Sequence, residues 1–157
     1  MDMLVREIGA DAFREALQEY LRTYAYGNAD WDKLIAILNR RSDKDLAEWS
    51  NMWVKEKGMP TVEFERSGDS VRVSQTDPWG KGRRWPVNLQ FVAVDSLGKY
   101  SYHTARFSGE GTALAVPPGT IAVLPNSNGH AYGYFRMDSQ SLDWLLLHWG
   151  GIRNDVM

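Results

Sequence analysis

The sequence predicts an α+β fold: a small N-terminal antiparallel helical array, then an antiparallel β-sandwich, then a C-terminal helix. Three observations carry this. Up to Pro60, apolar residues recur three and four apart, as on one helix face; after Pro60 the period falls to two; from Ser139 it returns to the helical value. Short strands separated by turns, with no helix among them, point to antiparallel sheets packed face to face rather than to βαβ units.

The first switch lies in the stretch LAEWSNMWVKEKGMPTV. Leu46, Trp49 and Trp53 share a helix face, Gly58 supplies a left-handed stop, and Pro60 keeps the helix from resuming. Upstream, Met3, Leu4, Val5 and Ile8 read as the tail of a helix with no capping residue before it, broken by Gly9. Asp11 is the expected cap of a second helix, whose stripe is Phe13, Ala16, Leu17, Tyr20, Leu21 and Tyr24. Asp30 caps a third, with Trp31, Leu34, Ile35 and Leu38 inward and Arg40 and Arg41 near the negative end of its dipole. Ser42, with Asp45 three residues on, has capping-box spacing and opens the tryptophan helix.

In the strand region, Val62 and Phe64 face Val71 and Val73 across a Ser67-Gly68-Asp69 turn. Val87, Leu89, Phe91 and Ala93 alternate with Asn88, Gln90, Val92 and Val94, and Tyr100, Tyr102 and Thr104 return after a turn. Leu114 with Val116, Ile121 with Val123, and Tyr132 with Tyr134 supply further strands between PPG and NSNG turns. Leu142, Leu145, Leu146 and Trp149 form the stripe of the last helix; Gly150 and Gly151 stop it, and residues 152–157 begin another element. No flexible linker is visible, so the helices are expected to pack on the sandwich.

Composition removes whole classes of function. With 157 residues and 43% hydrophobic content the chain can fill one ordinary core or two small ones. A net charge of -2, with Lys and Arg scattered among acids, gives no footing for nucleic acid. The lack of cysteine excludes disulfides, thiol catalysis and thiolate metal sites. No apolar run is long enough for a membrane span. The start, MDMLVREIG, shows no targeting segment, and the compartment, cytoplasmic or periplasmic, stays open.

Catalytic chemistry finds little material. His103, His130 and His148 fall on three different elements, far from the paired spacing a zinc site needs. Glu63 and Glu65 point the same way from one strand, as on a solvated face, rather than opposing each other across a cleft. No G-x-S-x-G elbow presents a nucleophile, and Gly80, Gly82, Gly109 and Gly111 read as turns rather than a phosphate cradle. Trp79, Trp85, Tyr100, Tyr102, Tyr132 and Tyr134 lie in or beside strands and are expected mainly in the core; exposed, they would suit a peptide or a glycan. Arg136, leading out of the last strand, is expected to tie the sandwich to a neighbouring helix.

An ordered series of motifs resembles the zinc aminopeptidases of peptidase family M1, the aminopeptidase N type. Gly9, Phe13, Leu17 and Tyr20 match a G-x-x-x-F-x-x-x-L-x-x-Y helix, Asn28, Ala29, Asp32 and Leu34 resemble the segment after it, and Trp53, Gly58 and Pro60 match the tryptophan helix and G-x-P. Gln75, Pro78, Trp85, Pro86 and Val87 resemble the next strand pair, with Pro86 shifted against the commonest form; Asn128, Gly133, Tyr134, Phe135 and Arg136 resemble the closing G-[YF]-[YF]-R. The resemblance implies that residues 1–60 are the helical tail of a thermolysin-like catalytic domain, 61–138 a β-sandwich domain, and 139–157 the start of a C-terminal helical domain, with both ends cutting through longer elements.

It also implies zinc in the parent enzyme, held by an HExxH and a distant Glu, with G-x-M-E-N binding the substrate amine and a Tyr steadying the oxyanion. The zinc-binding and amine-binding motifs are absent here, and Tyr20, Tyr24 and Tyr26 do not take the place of that Tyr. The expectation is a non-catalytic fragment without a cofactor of its own, partnered by the remaining domains of a peptidase and meeting peptide substrate only through them. Its alternative is a stand-alone sandwich module that binds peptides or glycans.

Overall fold

A computed structural model describes residues 1–28 and 30–151. Ala29 of the motif series, and the element expected at residues 152–157, lie outside the described residues. The chain divides into two units at the Lys57–Gly58 bond.

In the first unit, α1 (Asp2–Ile8), α2 (Ala10–Thr23) and α3 (Trp31–Arg40) are followed by α4 (Leu46–Ser50), which widens into a π-helical turn at Asn51–Lys55. Leu4, Ala16, Leu34, Ile35, Ile37, Leu38, Leu46 and Trp49 form its core, and Trp53 packs against it from the π turn. The antiparallel pairing of α2 and α3 shows in their polar ties: the Tyr20 hydroxyl donates to the Asp30 carbonyl at the start of α3, and Arg41 at its end pairs with Glu15 and Glu19.

Asp30 caps α3 as expected, accepting from the Lys33 amide at 3.0 Å. Two other caps differ from expectation. Gly9, at φ 88, caps α2 two residues earlier than expected, so Asp11 falls inside the first turn and pairs with Arg14 at 3.0 Å. Asp45 rather than Ser42 caps α4, accepting from the Ala47 and Glu48 amides. Ser42 is spent on a local turn with Lys44.

In the second unit, β1 (Thr61–Ser67), β2 (Ser70–Thr76), β5 (Gly111–Ala115) and β7 (Tyr134–Arg136) form one sheet, ordered β5-β2-β1-β7. The strands β3 (Val87–Asp95), β4 (Tyr100–Phe107) and β6 (Thr120–Leu124) form the other, ordered β4-β3-β6. Val62, Phe64, Val71 and Val73 of the first sheet share one core with Leu89, Phe91, Ala93, Ala105 and Val123 of the second. The pairing is antiparallel throughout except between β1 and β7, which are parallel. Tyr132 falls in the loop before β7 rather than in a strand, and Val116 lies just past β5.

The last helix, α5 (Ser139–His148), lies on the outer face of the second sheet, where Trp144 and Leu145 cover Val92, Val94, Ala122 and Leu124. This explains why β3 is apolar on both faces. The inward face of α5 is Ser141, Trp144 and Leu145; Leu142, Leu146 and Trp149, expected inside, are exposed. The six aromatics also divide differently from expectation. Trp85 is fully buried, whereas Trp79, Tyr102, Tyr132 and Tyr134 are exposed, because register places their side chains on outer faces or in loops.

Candidate functional site

Two of the three histidines are engaged in ring stacking. His103 lies on β4 with its ring stacked on Phe91 at 5.2 Å and its Nε2 3.1 Å from the Ser101 hydroxyl; burial pushes its pKa below the ordinary value. His148 stacks on Trp144 at 4.4 Å, with Nδ1 2.8 Å from the Trp144 carbonyl. His130 sits in the β6–β7 loop, its amide donating to Asn128. Among the described residues no group of His, Cys, Asp or Glu could hold a metal ion, so the side chains present do not fit a zinc site.

The motif residues build a set of polar locks. Gln75 is buried; its amide nitrogen donates to the carbonyls of Trp85 and Gly109, both at 2.8 Å, and its oxygen accepts from the Trp85 amide at 3.0 Å. This holds Trp85 in the core beside the Arg83 guanidinium, 5.0 Å above its ring. Asp77 fixes the intervening loop: its carboxylate accepts from the amides of Trp79, Lys81 and Arg83 and from the Arg83 side chain. Those bonds, with Arg83 first, hold its carboxyl well below the usual carboxylate range.

Gly58, at φ 110, lies against this loop, where a Cβ would stand 3.1 Å from Trp79 Nε1. Gly133 lets β7 approach Pro60, whose carbonyl accepts from the Tyr134 amide at 2.9 Å. Trp53 packs against the core of the first unit.

Two motif positions are overshadowed by neighbours that the sequence reading passed over. The β6–β7 loop is pinned mainly by Asn126, which exchanges two hydrogen bonds of 3.0 Å with the Ala131 backbone, while Asn128 accepts one longer bond. Its sequence signal was the paired asparagines of PNSNG. Arg136 pairs with Glu63 of the adjacent strand at 3.1 Å and lies 5.5 Å over the Tyr134 ring.

The tie between strands and helix is Arg66. It donates to both oxygens of Asp138, the N-cap of α5, to Gln140, and to the Thr120 carbonyl of the opposite sheet. Burial raises the pKa of Asp138, but bonds from Arg66 and Ser141 outweigh it and leave it below the ordinary value. An open groove of about 370 Å³ runs beside these residues, lined by Glu63, Glu65, Arg66, Arg136 and Met137 among others.

No helix among the described residues is long and apolar enough to cross a membrane. No family model matches the chain. Aminopeptidase N of Lactococcus lactis subsp. cremoris is 27% identical over the whole chain, which spans 18% of that protein. Aminopeptidase M1-B of Oryza sativa subsp. japonica is 30% identical over 62% of the chain and 11% of its own length. The crystal structure of Legionella pneumophila aminopeptidase A in complex with aspartic acid matches 93% of the chain at a TM-score of 0.73 and 19% identity, over 18% of that protein. The chain thus spans about a fifth or less of the length of these relatives. In sequence and in fold, it corresponds to a partial stretch of the M1-type aminopeptidases.

Proposed function

We propose that this stretch is a non-catalytic, domain-positioning part of a zinc-dependent aminopeptidase, an enzyme that removes N-terminal residues from peptides. In that reading residues 1–60 buttress the catalytic domain, 61–138 form a rigid sandwich, and 139–157 lead into a helical domain. The observation that carries it is the commitment of the chemistry-bearing side chains to packing and locks: His103 on Phe91, His148 on Trp144, Asp77 in its loop and Asp138 on Arg66. What remains is a scaffold with its polar groups arranged to hold elements together. The purified chain is expected to bind no zinc and to release no amino acid from aminoacyl anilides. Stoichiometric zinc by mass spectrometry, with chelator-sensitive cleavage, would overturn the reading.

A second reading, a sandwich module that binds peptides, is favoured by the exposure of Tyr102, Tyr132, Tyr134 and Trp79 outside the core. Exposed aromatics supply contact area at small entropic cost, which a purely structural sheet does not require.

A further inference from the structure

The first sheet has a notch in its edge. β7 pairs with β1 only from Thr61↔Tyr134 to Glu63↔Arg136, while β1 continues to Ser67. Ser67 and Ser70 close a two-residue hairpin, so Ser67, Glu65 and Glu63 turn their backbone groups toward β2. By the same alternation, the carbonyl of Phe64 and both backbone groups of Arg66 turn toward the side that β7 has vacated. Beyond Arg136 the chain departs for α5, and the groove of about 370 Å³ lies at this vacated place.

β7 closes the head of the notch, so a strand added there must end at Arg136 rather than run past it. A strand parallel to β1 would begin at that point and bring an ammonium group against a guanidinium. An antiparallel strand would finish there and bring a carboxylate. The Arg136 side chain is 61% exposed and donates through Nη1 alone to Glu63, leaving most of its fork of donors for a second anion. One residue back along such a strand, the side chain lies opposite Glu65, which is exposed on the outer face of the sheet.

We propose that this notch binds an extended peptide as an added strand antiparallel to β1, with its free C-terminal carboxylate on Arg136 and a Lys or Arg at its penultimate position beside Glu65. Backbone pairing with Arg66 supplies sequence-independent affinity, and the two charged contacts supply direction and selectivity. The proposal rests on the binding reading and sharpens it.

The test is fluorescence anisotropy of the whole chain with an N-terminally labelled hexapeptide, Thr-Val-Thr-Val-Lys-Val, as the free acid, as the C-terminal amide, and with Glu in place of Lys. The acid is expected to bind, and the amide to bind about tenfold more weakly or worse. Arg136→Gln should bring acid and amide level while leaving the unfolding temperature unchanged, and Glu65→Gln should narrow the preference for Lys over Glu. Equal binding of acid and amide would leave a peptide-binding module standing but overturn end recognition. No binding at millimolar peptide, or an edge-to-edge dimer that the peptide does not dissociate, would overturn the proposal outright.

Discussion

Replacing Arg66 with Met keeps the aliphatic length and removes every polar contact. The guanidinium makes four hydrogen bonds, of 3.1 and 3.2 Å to Asp138, 2.8 Å to the Thr120 carbonyl and 2.6 Å to Gln140. The ion pair is mostly covered, with side-chain exposures of 14% for Arg66 and 23% for Asp138. Removing one partner of such a pair strands the other carboxylate, but residual solvent access lowers the cost below that of a fully buried pair, to about 2–4 kcal/mol. For a unit of this size that corresponds to a fall in unfolding temperature of about 10–20 °C. Urea denaturation followed by tryptophan fluorescence measures it, since Trp144 on α5 packs against the sheet that Arg66 reaches. The comparison is Arg136→Ala, whose pair with Glu63 is 61% and 33% exposed and is worth about 0–1 kcal/mol. Equal stability losses in the two variants would refute the assignment of the tie to Arg66.

Gln75→Leu is expected to cost about 2–3 kcal/mol by calorimetry, because the Trp85 backbone and the Gly109 carbonyl lose their buried partner; a neutral result would mean that water replaces the amide. Gly58→Ala should cost about 1–2 kcal/mol in the same assay, from the positive φ and the 3.1 Å approach to Trp79. For Asp138, the lowered folded pKa gives stability that is fully present above the unfolded value and is lost as pH falls through the folded one. Acid titrations of stability should therefore decline below about pH 4 in the wild type and less steeply in Asp138→Asn.

Much of the framework was legible because it depends on period and on residues with strong backbone preferences. The change from helical to alternating spacing after Pro60 marks the passage from α4 and its π turn to β1, and Gly58 adopts the positive φ its position demanded. Less legible was which side of an alternation is buried. Tyr100, Tyr102 and Thr104 look like the inward set of β4, but the inward set is Ser101, His103, Ala105 and Phe107, of which the first three are small or polar, so that alternation alone pointed the wrong way. In α5, apolar residues continue around the helix beyond the expected stripe, so that stripe does not mark the covered face. The covered face is set by Ser141, whose hydroxyl accepts from the Val123 amide and donates to Asp138. A hydrogen-bonded serine at the centre of a helix–sheet contact has no hydrophobic signature. The cap of α4 differs from expectation for a similar reason, since Ser42 and Asp45 are both good cap residues and the choice depends on where the backbone enters helical geometry.

The two arginines of the groove show how strand parity divides structural work from surface work. Arg66 shares the parity of Val62 and Phe64, so its side chain starts toward the space between the sheets. It stands one residue from the hairpin, where the apolar core has run out and a long side chain can reach Thr120 of the other sheet and the cap of α5. Arg136 shares the parity of Glu63 across the β1–β7 pair and therefore points outward, where its single acid leaves it largely in solvent. Motif order drew attention to Arg136, yet the inward arginine carries the mechanical load. That division leaves Arg136 a small part in stability: a residue whose one ion pair lies largely in solvent can be replaced without unfolding the sheet, which suits a ligand contact at the open end of β7.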